Sequence, residues 1–153
     1  MKQKNIYKLY VDTSVFGGCF DDNFRKESKK IFDMIIEKKI ILLLSDIVLE
    51  ELSGAPDIVQ GILKLLPEKQ ITYISVEEEA FVLRDKYIKS GILNKKWMND
   101  ALHVALATIN RADAIVSWNF KYIVHLDKIK SYNMINFENG YGVLTIVSPK
   151  EVI

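Results

Sequence analysis

Cysteine is almost absent from this sequence, which contains one, Cys19, in 153 residues. A single cysteine excludes an internal disulfide and a zinc site built from several thiolates. Charge of one sign is also lacking, because 21 basic residues face 20 acidic ones and the formal net charge is +1. The overall charge therefore gives no general attraction to nucleic acid, and any such binding needs a local basic patch.

Long apolar runs are missing as well. No run approaches the roughly 20 residues of a membrane span, and the N-terminal segment lacks the apolar stretch of a signal peptide. With 49% hydrophobic and 27% charged residues, the composition is close to that of an ordinary globular protein. We therefore expect a single cytoplasmic domain over residues 1–153, with no membrane partner.

Apolar segments alternate with helical patterns along the chain. Strands are predicted at residues 6–11, 40–44, 71–74 and 113–117, with helices between them. This alternation implies right-handed crossovers, so the expected fold class is a three-layer α/β/α fold with a central, mostly parallel twisted sheet. The local predictions are an N-cap at Ser45, a capping box at Ser75 and Glu78, a helix that begins at Asp100, a short helix over 119–125, and late strands at 134–136 and 143–147.

Three acidic residues are the most informative feature of the chain. Asp12 follows the first predicted strand, Glu51 lies in the helix after the second, and Asp100 opens an alanine-rich helix. A fourth polar residue, Asn119, follows the fourth strand. In open parallel sheets, sites form beyond the carboxyl ends of the strands. Converging carboxylates repel one another, and a divalent cation is a common reason to tolerate them. The sequence thus predicts a metal site with one neutral member.

Each of these acids also has an ordinary structural interpretation. Asp12 and Asp100 suit helix N-termini, where acids are favoured. Glu51, or its neighbour Glu50, can equally be a surface acid on a helix. His103 lies three residues after Asp100 and shares its helical face, and we interpret it first as a hydrogen-bonded helix histidine and second as a catalytic residue.

Taken together, the order of these residues resembles that of the PIN domain. The resemblance spans residues 6 to 125 and implies a PIN-like fold and a metal-dependent endoribonuclease. Small single-domain members are commonly VapC-like toxins of toxin–antitoxin pairs. The matching segments are Asp12-Thr13-Ser14 after the first strand, Ser45 six residues before Glu51-Leu52, Asp100 at the start of its helix, and Ser117-Trp118-Asn119 after the fourth strand.

The resemblance also assigns roles to individual residues. It implies that Asp12, Glu51 and Asp100 bind Mg²⁺ or Mn²⁺ and act in catalysis with Asn119. The supporting residues would be Thr13, Ser14 and Ser117. The chain departs from the family at Asn119, where many members have an aspartate, because an amide brings no charge to the site. The alternative is therefore a catalytically weak or inactive PIN-fold module that binds nucleic acid or protein.

Local basic and aromatic residues are candidates for binding RNA. Lys95 and Lys96 lie just before Asp100, which makes them the best placed to hold a phosphate backbone. Trp118, beside Asn119, either stacks on a base or packs at the edge of the sheet. The expected partners are an RNA substrate, a small antitoxin protein and a second copy of the chain.

Overall fold

A computed structural model describes residues 6–153. All pairings in its central sheet are parallel, and the strands lie in the order β3-β2-β1-β4-β5. The strands are β1 (Tyr7–Val11), β2 (Ile40–Ser45), β3 (Ile71–Ile74), β4 (Ala114–Val116) and β5 (Ile146–Val147). The helices are α1 (Thr13–Gly18), α2 (Arg25–Ile36), α3 (Asp46–Ser53), α4 (Asp57–Leu65), α5 (Glu78–Lys89), α6 (Met98–Ile109), α7 (Leu126–Glu138) and α8 (Pro149–Val152).

The core strands are apolar on both faces, because helices cover both. Within β2, Leu42, Leu43 and Leu44 are all buried, which is the pattern of a central parallel strand. Helix α6 is largely apolar, and every residue from Ala101 to Thr108 is buried. A helix of this kind belongs in the interior, and its alanines permit a close approach to its neighbours. No helix between residues 6 and 153 is long and apolar enough to cross a membrane.

The strand order reverses beside β1. From β1 the chain builds β2 and then β3 on one side, and it later adds β4 and β5 on the other. Val11 pairs with Val116, so the residues that follow, Asp12 and Ser117, leave the sheet side by side. The amide of Asp12 still donates to the carbonyl of Val116 at 3.2 Å. A reversal of this kind opens a crevice at the carboxyl ends of the two strands, where ligands bind in open α/β sheets.

Several local predictions were wrong, although the N-cap at Ser45 is confirmed by its bond from the Val48 amide at 3.2 Å. Helix α5 begins at Glu78 without a side-chain cap, so Ser75 and Glu78 form no capping box there. Helix α6 begins at Met98, two residues before Asp100.

The later part of the chain also differs from prediction. Residues 119–125 form turns instead of a helix, because the Asn119 side chain accepts from the Tyr122 amide at 3.0 Å, as asparagines in turns do. Residues 134–136 lie inside α7, where buried Asn136 bonds to neighbouring helices. Of the predicted strand 143–147, only Ile146–Val147 pairs.

Candidate functional site

Asp12 lies buried where β1 meets α1. It caps α1, and its Oδ1 accepts from the amide of Ser14 at 3.1 Å and from the Ser14 hydroxyl. Its Oδ2 accepts from the hydroxyl of Ser117, the residue that follows β4. Burial raises the pKa of Asp12 and the charge of Glu51 adds to this, while His103 and the two serines oppose it. The serines therefore fix the carboxyl group without removing the cost of its buried charge.

Glu51 approaches the same edge from α3. It is half-buried, whereas its competitor Glu50 is exposed, so the choice between the two falls on Glu51. Its Oε1 accepts from the Thr13 hydroxyl at 2.9 Å and from Nε2 of His103 at 2.6 Å. Burial pushes the pKa of Glu51 upward, but the bonds from His103 and Thr13 and the charge of His103 outweigh it, and the pKa is lowered. Glu51 is thus held as a carboxylate.

Asp100 and Asn119 are joined directly. The Asn119 side-chain Nδ2 donates to Oδ1 of Asp100 at 3.1 Å, and its backbone amide donates to the Ser117 hydroxyl at 2.9 Å. The pKa of Asp100 is raised by burial and by the charges of Asp12 and Glu51, against the opposing charge of His103. The three acids are therefore close enough to feel one another. Hydrogen bonds link each of them to predicted supporting residues or to Asn119.

The chemistry of these side chains suits a hard cation, but they do not form a ready-made cage. Carboxylate oxygens are the ligands that Mg²⁺ and Mn²⁺ prefer. Within residues 6–153, however, no group of three or more Asp, Glu, His or Cys side chains is arranged so that it could hold a metal ion. Asp12 is fixed from both oxygens, whereas Glu51 and Asp100 are only partly buried. An ion shared by all three would therefore require some rearrangement of these side chains.

His103 is the site residue that sequence reasoning placed second. It is 2% exposed and bonds to Glu51 through Nε2 and to the Tyr10 hydroxyl through Nδ1, each at 2.6 Å. Burial lowers the pKa of His103, but the bond to Glu51 and the charges of the three acids outweigh this and raise it. The signal in the sequence was that His103 shares the face of Asp100 on a helix, whereas Tyr10 was not among the predicted site residues.

Solved structures share this architecture at low identity, although no protein-family model and no curated protein sequence matches the chain. VapBC2 from Rickettsia felis, solved with a DNA fragment from its promoter, is 16% identical with a TM-score of 0.57, over 92% of this chain and 98% of that one. FitAcB from Neisseria gonorrhoeae is 14% identical with a TM-score of 0.57, over 93% and 98%. VapC20 from Mycobacterium tuberculosis, a sarcin–ricin loop cleaving toxin, is 11% identical with a TM-score of 0.57, over 74% and 92%.

The chain has a PIN-like fold. The predicted α/β/α architecture is confirmed by these structures and by the five-stranded parallel sheet. Identities of this size establish the fold alone, so the roles of individual residues depend on the geometry of the site.

A groove beside the acids carries the predicted basic residues of this PIN-like fold. Lys95 and Lys96, both exposed, line it together with Asp100. Trp97 stacks on Tyr122 with ring centroids 4.3 Å apart and an interplanar angle of 26°. The Lys96 ammonium lies 5.1 Å from the Trp97 ring centroid.

The second half of this arrangement comes from the turn after β4. There the Lys121 ammonium lies 5.3 Å from the ring centroid of Tyr122. We define Lys96, Trp97, Lys121 and Tyr122 as the basic–aromatic bracket. Sequence reasoning found the first half of the bracket, in the segment just before Asp100, but not the second half, because the stacking of Trp97 on Tyr122 joins segments that are 25 positions apart.

Of the two interpretations of Trp118, the structure favours packing. It is 7% exposed, its indole N–H donates to the Ser28 hydroxyl at 2.8 Å, and its ring centroid lies 4.3 Å from that of Phe24. Gly18 makes this contact possible, because a Cβ there would lie 2.8 Å from Nε1 of Trp118 and closer still to the Ser28 oxygen. A ring so enclosed offers almost no face to a base, so Trp118 is corrected from an RNA-binding candidate to a support for the loop of Ser117 and Asn119.

Proposed function

We propose that this protein is a Mg²⁺- or Mn²⁺-dependent endoribonuclease of the PIN type. The observation that carries the proposal is the meeting of Asp12, Glu51 and Asp100 at the carboxyl edge of a PIN-like sheet. Burial is the largest cause of the raised pKa of Asp12 and of Asp100; the charge of Glu51 adds to it at Asp12, and the charges of Asp12 and Glu51 add to it at Asp100. Acids held together at such a cost are typical of functional sites.

In this proposal Asp12, Glu51 and Asp100 hold the ion. The chemistry that an ion held there would supply is the activation of a water for attack on a phosphodiester and the neutralisation of charge on the leaving oxygen. Ser14 and Ser117 keep Asp12 in place. Asn119 orients Asp100 through its amide and adds no charge of its own.

The basic–aromatic bracket is the proposed contact for the RNA backbone. One half, with Lys96, precedes Asp100, and the other half, with Lys121, follows Asn119. Because Trp97 stacks on Tyr122, the ammonium groups of Lys96 and Lys121 belong to one local basic patch, which suits the phosphates of an RNA backbone. Similarity in fold to VapC20, a toxin that cleaves the sarcin–ricin loop, supports RNA as the substrate.

A small antitoxin protein, and a second copy of the chain, are the proposed protein partners. Similarity in fold to VapBC2, solved on promoter DNA, supports the first of these. The chain also exposes large apolar side chains. Contiguous apolar patches on a surface mark protein interfaces, whereas single exposed apolar residues are normal. Examples are Ile58 and Leu65 on α4, which are 62% and 69% exposed, and Phe137 on α7, which is 80% exposed.

Cleavage of RNA by purified protein tests the proposal. We expect Asp12→Asn and Asp100→Asn each to abolish cleavage, and EDTA to abolish it in the unaltered protein. Glu50→Gln is the matched control, because it removes an exposed acid next to Glu51 and should leave cleavage unchanged. Cleavage that persists in both aspartate variants, or in EDTA, would rule this site out.

A second candidate is a PIN-fold module that binds nucleic acid or protein without cleaving it. Two observations favour it: an amide at position 119 bonds to Asp100, and within residues 6–153 no metal cage is pre-assembled. Calorimetry with Mn²⁺ separates the two candidates. Binding supports the nuclease, and no binding at millimolar Mn²⁺ supports the module.

A further inference from the structure

We propose that His103 is a positioning residue for Glu51, held in place by Tyr10 and Ser45. The inference rests on the proposed function, because it assigns Glu51 to the metal. Four side chains form a continuous chain of hydrogen bonds. The Ser45 hydroxyl lies 2.8 Å from the Tyr10 hydroxyl, which lies 2.6 Å from Nδ1 of His103, and Nε2 of His103 lies 2.6 Å from Oε1 of Glu51.

The order of protons along this chain follows from its two ends. At one end, the Ser45 oxygen accepts from the Val48 amide at the start of α3. At the other end, a carboxylate can only accept hydrogen bonds, so the bond to Oε1 of Glu51 requires a proton on Nε2 of His103. Nδ1 then either accepts from the Tyr10 hydroxyl or, in the imidazolium, donates to it. In both forms the Nε2 proton points at Oε1 of Glu51.

This arrangement makes the two carboxylate oxygens of Glu51 differ in their hydrogen bonds. Oε1 receives two donors, Nε2 of His103 and the Thr13 hydroxyl. Among the described residues no hydrogen bond reaches Oε2, which leaves that oxygen for a ligand. Metal-binding side chains are commonly oriented in this way by a partner on the non-binding atom.

A purely structural histidine would not need this chain. The chain of bonds through His103 connects β1, β2, α3 and α6 and ends on Glu51, whereas a core histidine is satisfied by any nearby carbonyl. His103 is also almost fully buried, and the ring of Tyr10 lies edge-on to it with centroids 5.7 Å apart. The imidazole is therefore fixed in direction as well as in position.

Two substitutions at His103 separate orientation from packing. Glutamine can place an amide N–H near the position of Nε2, whereas asparagine reaches only the position of Nδ1. We expect His103→Gln to bind Mn²⁺ within a few-fold of the unaltered protein. We expect His103→Asn to bind about 10–100-fold more weakly, the usual cost of losing a partner of a metal ligand. Equal Mn²⁺ affinities for the two variants, measured by calorimetry on folded protein, would overturn the inference.

Tyr10→Phe is a milder variant that keeps the ring and removes only the hydroxyl. It leaves Nδ1 of His103 without its partner, and we expect a few-fold loss of Mn²⁺ affinity with the thermal transition retained. Affinity equal to that of the unaltered protein would count against the chain. This variant decides the question if His103→Asn does not fold.

Nuclear magnetic resonance of the imidazole nitrogens tests the chain without metal. We expect Nε2 of His103 to be protonated in the unaltered protein, and an unprotonated Nε2 would overturn the inference. If the unaltered protein binds no Mn²⁺, the proposed function fails and the positioning of Glu51 is decided by this measurement alone. If it binds Mn²⁺ and the His103 variants do not differ, the inference fails and the proposed function stands.

Discussion

The molecule buries two polar networks that differ in charge. The acidic network lies at the carboxyl edge of the sheet, where Asp12 and Asp100 are linked through Ser117 and Asn119, Glu51 bonds to His103, and the charges of these groups act on one another. The neutral network joins Tyr87, Thr108 and Asn136 between α5, α6 and α7. Both lie in the PIN-like core, so the difference between them shows which polar groups serve the fold and which serve a site.

The neutral network is complete in itself. The Tyr87 hydroxyl donates to Oδ1 of Asn136, the Asn136 amide donates to Thr108 at 3.1 Å, and the Thr108 hydroxyl donates to the Val104 carbonyl at 2.9 Å. Within residues 6–153 every buried side-chain nitrogen or oxygen has a partner. Satisfied neutral groups can be buried at little cost, so this network holds three helices together and needs no ligand.

The acidic network is also hydrogen-bonded, yet its charges remain unbalanced. Burial and the neighbouring acids raise the pKa of Asp12 and of Asp100 in spite of His103 and of their hydrogen-bond donors. Burying like charges opposes folding. Hydrogen-bond satisfaction therefore does not distinguish the two networks, whereas charge does, and the charged one is the functional candidate.

The sharpest test of this contrast is Asp100→Asn, the largest effect we expect. The bond from Asn119 can persist to the new amide oxygen, but one ligand charge is lost. We expect the Mn²⁺ affinity to fall by more than about a hundredfold. A hundredfold is the upper end of the loss seen when only the hydrogen-bond partner of a metal ligand is removed. The free energy of unfolding without metal should stay the same or rise, because repulsion from Asp12 and Glu51 is removed.

Asp127→Asn is the matched control. Asp127 lies in the first turn of α7, as Asp100 lies in the first turn of α6, but Asp127 is exposed. It should change neither the Mn²⁺ affinity nor the free energy of unfolding without metal. Calorimetry with Mn²⁺ measures the first, and urea unfolding in EDTA measures the second. A loss of metal-free stability in Asp100→Asn with undiminished Mn²⁺ affinity would make Asp100 a structural helix acid.

The opposite result is expected from the neutral network. Asn136→Ala leaves the hydroxyls of Tyr87 and Thr108 without their amide partner. We expect a loss of about 2 kcal/mol in unfolding free energy, or about 4–8 °C in Tm. Mn²⁺ affinity and RNA cleavage should not change in the folded variant. Asn23→Ala, at an exposed position, is the control for unfolding. Weakened Mn²⁺ binding in Asn136→Ala would show that the two networks are coupled.

The sequence predicted the fold and the acids because both depend on local order along the chain. Strand ends locate Asp12 and Asn119, and helix patterns locate Glu51 and Asp100. The bond between His103 and Glu51 was not predictable, since it joins positions 52 apart on helices whose packing only the fold sets. The burial of Trp118 likewise depends on contacts with Ser28 and Gly18 from distant segments.

Asn119→Asp probes the neutral member of the acidic network. At present the amide donates to Asp100 at 3.1 Å and its oxygen accepts from the Tyr122 amide. An aspartate keeps the second bond and replaces the first with repulsion. We expect lower stability without metal and tighter Mn²⁺ binding, by about tenfold or 1.4 kcal/mol, the size of a typical coupling between charged sites. Asn23→Asp, which adds the same charge at an exposed position, is the control. Unchanged Mn²⁺ affinity would place Asn119 outside the ligand shell.

The smallest expected effect is the dependence of metal-free stability on pH. The pKa of His103 is raised above its ordinary value of 6.5, chiefly because the acids outweigh its burial. Its stabilising contribution is therefore complete below 6.5 and is lost as the pH rises through the raised value. The neutral network adds no pH dependence to the stability in this pH range. Its titratable group is Tyr87, whose pKa lies above the range and is raised further by burial.

Urea unfolding in EDTA at about pH 6 and about pH 8.5 measures this loss. His103→Gln should reduce the difference between the two conditions, because glutamine does not titrate, and Asn136→Ala should leave the difference as it is while lowering both values. The same slope in all three proteins would mean that the acids are not compensated by His103. In that case charge alone would no longer separate the acidic network from the neutral one.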